Sequence, residues 1–114
     1  MFSNKRKKIL LKELRRIKKE LIKKFQPVKI ILFGSLANGK VRSNSDIDLV
    51  IVKDTKKPFI DRAIDAALST QPNFAIDFLV YTPDEFKKMS LKNNYFFKEI
   101  SKGEVLYEAQ EIGG

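Results

Sequence analysis

Apolar residues recur along this chain with a spacing that switches between helical and strand-like. Between residues 4 and 25, Leu10, Leu14, Ile17, Leu21 and Phe25 return at three- and four-residue steps, Leu11 and Ile22 widen the stripe, and Lys or Arg fills the other faces. This pattern predicts an amphipathic helix, which Pro27 cannot continue because it has no amide proton to donate. Val28-Lys29-Ile30-Ile31-Leu32-Phe33 then predicts a buried strand, residues 34–45 a turn with room for a short helix, and residues 46–53, built on Leu49-Val50-Ile51-Val52, a second strand. Pro58 opens a short helix to about Leu68, with Phe59, Ala63, Ile64 and Ala67 on one side. Asn73 precedes a third strand, Phe74 to Tyr81.

Thr82-Pro83-Asp84-Glu85 is a helix start, with Thr as the cap, Pro in the first position and Glu in the third, and that helix runs toward Met89. A further helical stretch at about 91–102 carries Tyr95, Phe96 and Ile100 and stops at Gly103. Val105-Leu106-Tyr107 adds a short edge strand. This order predicts an α/β (α+β) fold, a small mixed sheet covered by helices. All 114 residues are expected in one domain: a basic amphipathic helix over 1–25, a core over 26–108 and a loose tail over 109–114.

Composition narrows the chemistry. With no Cys and no His, disulfides, zinc–thiolate sites, Ser-His-Asp triads and His-ligated metals are excluded. Acid–base and metal work falls to Asp, Glu, Lys or Tyr. The net charge of +9 is carried by residues 1–25, which hold 11 Lys/Arg against 2 Asp/Glu; the rest of the chain is neutral. Such asymmetry points to an acidic partner or nucleic acid, with residues 5–24 as the nucleic-acid contact, or simply to a docked helix with a solvated face. No apolar run reaches transmembrane length and no apolar signal core follows the basic start, so a cytoplasmic location without membrane contact is expected.

The candidate chemistry lies between the first two strands. Gly34-Ser35 is followed by ten residues and then Asp46-Ile47-Asp48. Glycine after a strand lets the backbone turn sharply and approach a ligand, and amides and the Ser35 hydroxyl can hold phosphate oxygens. In a strand, positions i and i+2 point the same way, about 6.6 Å apart. Asp46 and Asp48 would then share one face, suited to a hard divalent cation such as Mg²⁺. Asp77 sits in the apolar run Phe74-Ala75-Ile76-Asp77-Phe78-Leu79-Val80-Tyr81, where an unpaired charge is costly to bury. It is a salt-bridge or edge position, or strand three lies beside strand two and Asp77 faces Asp46 and Asp48. In the second case three carboxylates suit two metal ions, and Asp77 is the natural proton acceptor.

These residues resemble the hallmark of the DNA polymerase β nucleotidyltransferase superfamily, and in particular its minimal nucleotidyltransferase (MNT) domains. The stretches that carry the resemblance are Phe33-Gly34-Ser35-Leu36-Ala37-Asn38-Gly39, Ser45-Asp46-Ile47-Asp48-Leu49, Asp77 and Gly103-Glu104-Val105-Leu106-Tyr107, within residues 26–108. The resemblance implies a polymerase β-like nucleotidyltransferase fold, a two-ion Mg²⁺ site at Asp46, Asp48 and Asp77, and ATP as donor, held at Gly34 and Ser35. Many members carry a basic residue directly after Gly-Ser and another two positions on. Leu36 and Asn38 stand there instead, which leaves Lys40 and Arg42 as the phosphate contacts of the same loop. The resemblance further implies AMP transfer to a hydroxyl, a tyrosine on a partner HEPN-domain toxin, as in type VII-like antitoxins. The alternatives are a non-catalytic antitoxin that neutralises its partner by binding and, less favoured, transfer to RNA or to a small molecule. Phe86, Tyr95, Phe96 and Phe97 are candidates either for a contact surface or for core packing.

Overall fold

The stripe from Leu10 to Phe25 is the docked face of a long helix in the computed structural model, which describes residues 2–38, 46–92 and 94–110. Helix α1 spans Phe2–Glu20 and continues through one π-helical turn, Leu21–Phe25. Leu10, Leu14, Ile17, Leu21 and Phe25 are buried, whereas Lys5, Lys7, Lys8, Lys12, Arg15, Lys19 and Lys23 are exposed. Gln26 ends the helix in the left-handed conformation, φ 54°, with its amide donating to the Leu21 carbonyl at 2.9 Å. Each buried Leu or Ile contributes about 2 kcal/mol, so this one face outweighs the marginal stability of an isolated helix.

Four strands form one mixed sheet: β1 (Lys29–Phe33), β2 (Ile47–Val52), β3 (Ile76–Tyr81) and β4 (Glu104–Glu108), in the order β3-β2-β1-β4. β1 is antiparallel to β2 and to β4, and β2 is parallel to β3. A parallel neighbour requires a crossover, which helix α3 (Phe59–Thr70) supplies. β2 is buried everywhere except at Asp48. Ile47, Leu49 and Ile51 pack into the cluster that holds α1 and α3. Val50 packs on the other face with Ile31 and Ile100, beneath α4 (Pro83–Lys92) and α5 (Tyr95–Ser101). The short α2 (Gly34–Asn38) follows β1 directly.

One helix start follows its sequence signal, and a second, expected near residue 91, falls at Tyr95 because α4 runs on to Lys92. Glu85 N–H donates to the Thr82 hydroxyl at 3.2 Å while Thr82 N–H donates to the Glu85 carboxylate at 2.8 Å, a reciprocal capping box. Asn94 caps α5 by accepting from Phe97 N–H at 2.9 Å.

Helix α3 departs from its expected face. It turns Arg62, Ala66 and Thr70 inward, with Ala63 and Ala67 partly buried. Ile64 is instead 51% exposed, beside Ile60 at 71% and Leu68 at 69%. The reason is Arg62. Its guanidinium donates to the Lys57 carbonyl at 2.7 Å and the Val80 carbonyl at 3.2 Å and pairs with Glu85 at 2.6 Å. A buried cation with its donors satisfied fixes the rotation of the helix. Beyond β4, Ala109 N–H donates to Val28 O at 2.8 Å and extends the ladder, and residues 111–114 of the expected tail lie outside the described residues. Of the C-terminal aromatics, Phe86 and Phe97 meet at 5.7 Å and Phe96 stands edge-on to Phe33 at 6.0 Å, leaving Tyr95 77% exposed. Among the described residues no helix is long and apolar enough to cross a membrane.

Candidate active site

β1 delivers the chain to Gly34, whose φ of 74° lies in the left-handed region. A side chain there would collide with the Asp48 carboxylate. Glycine is therefore required twice, for its backbone conformation and for the approach of Asp48. The β1–β2 register sets Phe33 opposite Asp48, which places the Gly34 turn and Ser35 beside that carboxylate. Leu36, one residue on, is only 3% exposed and belongs to the core with Leu10 and Leu14. The position where many members carry a basic group is thus an apolar core position in this chain.

Parallel pairing of β2 with β3 puts Asp48 in register with Asp77. Each stands two residues before one of the α4/α5 face, Val50 and Leu79, so their carboxylates share that side of the sheet. Burial pushes the Asp48 carboxyl up to about 6, and the neighbouring charge of Asp77 and a hydrogen bond with it add to the shift. Asp77 itself is exposed on an edge strand. Asp77 thus lies at an edge, as one expectation had it, and stands in register with Asp48, one of the two carboxylates named in the other. Two carboxylates side by side are an oxygen-donor set suited to a hard divalent cation.

Asp46 is placed differently. It precedes β2, and its amide donates to the Ala75 carbonyl at 3.0 Å. Strand alternation does not extend to it, and its carboxylate is ion-paired with Arg6 of α1. Among the described residues no three acidic side chains group closely enough to hold one metal ion. The structure thus joins Asp48 to Asp77, with Asp46 at the same end of β2 under a cation from another element. Lys40 and Arg42 lie outside the described residues.

Sequence reasoning missed Arg6, although a signal existed: it stands four residues before Leu10, on the line of the buried stripe. It also missed α5. Glu99, Lys102 and Gly103 line a cavity of about 50 Å³ with Gly34 and Ala37. A roomier cavity of about 450 Å³, lined among others by Lys24, Lys53, Lys57 and Arg62, lies at the far end of β2. Lys53 is five residues, roughly 16 Å, from Asp48. The cations there are already engaged: Lys24 with Glu20, Lys53 with the Phe25 carbonyl, Lys57 with Asp65 and Arg62 with Glu85. The carboxylate pair, not the volume, marks the chemistry.

A family model described as polymerase beta, nucleotidyltransferase matches residues 15–112, a span that includes Gly34, Ser35 and the three aspartates but not Arg6. The chain is also similar to the crystal structure of a candidate nucleotidyltransferase from Sulfolobus solfataricus. The TM-score is 0.69 at 18% identity, over 97% of this chain and 91% of that one, a likeness of fold. A search of curated proteins gave no match.

Proposed function

This chain belongs to the polymerase β nucleotidyltransferase family, and we propose that it transfers AMP from ATP to a tyrosine hydroxyl on a helical HEPN-domain toxin, acting as that toxin's antitoxin. The observation that carries the reading is the in-register pair Asp48 and Asp77 with the Gly34 turn closed against it. Asp48 and Asp77, with Asp46 beside them, are the residues that would hold Mg²⁺. When bound, the metal supplies positive charge to the triphosphate and the leaving pyrophosphate and lowers the pKa of the attacking hydroxyl. Gly34 lets the backbone approach the phosphates, and the Ser35 hydroxyl donates to a phosphate oxygen. Asp77, at the exposed edge, takes the proton of the acceptor hydroxyl. The acceptor oxygen bonds to the α-phosphorus as the bond from that phosphorus to the pyrophosphate oxygen breaks.

A macromolecular acceptor agrees with the surface. Ile60, Ile64 and Leu68 form an exposed apolar line on α3, and contiguous exposed apolar residues mark contact sites. The experiment is incubation with α-³²P-labelled ATP and Mg²⁺, with and without the co-purified helical partner. Label on the partner, lost in Asp48→Asn, is the expected result; label retained in that variant sinks the assignment. One observation favours a second reading, neutralisation by binding alone: Leu36 is a core residue and offers the triphosphate nothing. That reading predicts no label from the wild type and full neutralisation by Asp48→Asn.

A further inference from the structure

The helix that carries the chain's excess charge does not only solvate it. Consecutive helical residues point about 100° apart, so of Lys5, Arg6, Lys7 and Lys8 only Arg6 and Lys7 flank the line of the buried stripe, one on each side. Arg6 is the one that meets an acidic partner. Leu10, Leu14 and Ile17 are buried against the sheet, and this docking aims the next position toward the chain start at the entrance of β2, where Arg6 meets Asp46. The Arg6 side chain is 48% exposed and that of Asp46 19%, so the pair sits at the mouth of the site with one side open.

We propose that Arg6 is a phosphate-binding residue of this site, neutralising Asp46 in the free protein and turning to the nucleotide's phosphate oxygens when a divalent cation takes that carboxylate. The inference rests on the nucleotidyltransferase reading above. Three facts carry it. A metal-bound triphosphate still has net negative charge, and the position after Ser35 contributes none to offset it because Leu36 is buried. Arg6 is already in contact with a carboxylate two residues from Asp48, which stands in register with Asp77, so its guanidinium lies at the end of β2 that carries the carboxylate pair. A guanidinium presents a planar fork of donors that fits phosphate oxygens as well as a carboxylate. Arg6 stands on α1, ahead of the residues the family model matches.

The test measures two affinities on Arg6→Ala and Arg6→Lys: Mn²⁺ alone, and the non-hydrolysable analogue α,β-methylene-ATP with Mg²⁺. Arg6 competes with the metal for Asp46 but assists the nucleotide, so the two should move in opposite directions. In Arg6→Ala, Mn²⁺ alone should bind severalfold tighter while the metal–nucleotide complex binds about tenfold weaker. Arg6→Lys should recover part of the nucleotide affinity. Arg6→Met, which keeps the stem and drops the charge, separates loss of charge from loss of packing should Arg6→Ala melt early. Nucleotide affinity unchanged or raised in Arg6→Ala and Arg6→Met overturns the proposal and leaves Arg6 as a blocking ion. A wild type that binds no nucleotide overturns both this proposal and the reading it rests on, whereas wild-type binding with indifferent variants overturns this one alone.

Discussion

Two carboxylates of this protein, one buried and one half-buried, have been pushed in opposite directions, and the difference separates architecture from chemistry. Glu13, 6% exposed, accepts from Arg16 at 2.9 and 3.1 Å and from the Asn73 amide and side chain at 2.6 and 3.2 Å. Arg16 in turn donates to the Thr70 and Gln71 carbonyls at 2.9 and 3.2 Å, so this knot ties α1 to the segment between α3 and β3. The Arg16 hydrogen bond, with help from Asn73, holds the Glu13 carboxyl down to about 2. Asp48, in register with Asp77 near the start of the β2–β3 pair, is pushed up to about 6 by burial and by Asp77. One carboxylate has every lone pair answered; the other is next to its own kind. Strong shifts of the second sort, in an open site, mark groups kept for a ligand.

The sharpest way to break the comparison is to remove charge from each region. Asp48→Asn and Asp77→Asn should lower nucleotidyl transfer by about 10³-fold or more, about 4 kcal/mol of transition-state stabilisation, with an unchanged circular dichroism spectrum. The melting temperature should hold or rise, because a like-charge contact is relieved. Next in size, Glu13→Ala should lower unfolding free energy by about 3 kcal/mol in urea titration, since it leaves Arg16 and Asn73 without their acceptor. An unchanged midpoint would show that the knot is ornamental.

The third test is pH, in chelator, where the two groups have opposite signs. The folded value for Glu13 lies below its unfolded value of 4.5, so its contribution is complete above pH 4.5 and is lost as pH falls through about 2. Asp48 is raised above its unfolded value of 3.8, so its contribution is complete below about 3.8 and is lost as pH rises through about 6. Stability should therefore fall by about 2 kcal/mol between pH 4 and 7, and Asp48→Asn should flatten that slope while Glu13→Gln leaves it in place. The smallest effect is metal stabilisation. Millimolar Mn²⁺ at pH 7 should raise wild-type stability by about 1 kcal/mol and do nothing for Asp48→Asn.

Much of this molecule was legible along the chain because its signals are local. The capping box of Thr82 and Glu85, the stop at Pro27, the Gly34 turn and the runs of β1 and β2 follow from residues within a few positions of each other. The likeness of Gly34-Ser35 and Asp46-Ile47-Asp48 to a known spacing is equally local. The failures are long-range. The face of α3 was misjudged because periodicity counts Arg62 as polar and outward, whereas Val80, Lys57 and Glu85 make it the helix's anchor. The pairing of Asp46 with Arg6 is likewise not legible along the chain, because the two stand on different elements.

By itself, then, the sequence determined where helices and strands form, that a glycine turn precedes the carboxylates, and that any acid–base or metal chemistry rests on oxygen ligands, since turns, caps and side-chain type depend on near neighbours alone. Tertiary structure alone decided the strand order β3-β2-β1-β4, which brings Asp77 across from Asp48. It also decided the docking of α1, which carries Arg6 over 40 positions of sequence to Asp46. Those outcomes follow from which apolar faces bury each other and which charges must then find partners, and neither condition exists until the chain has closed on itself.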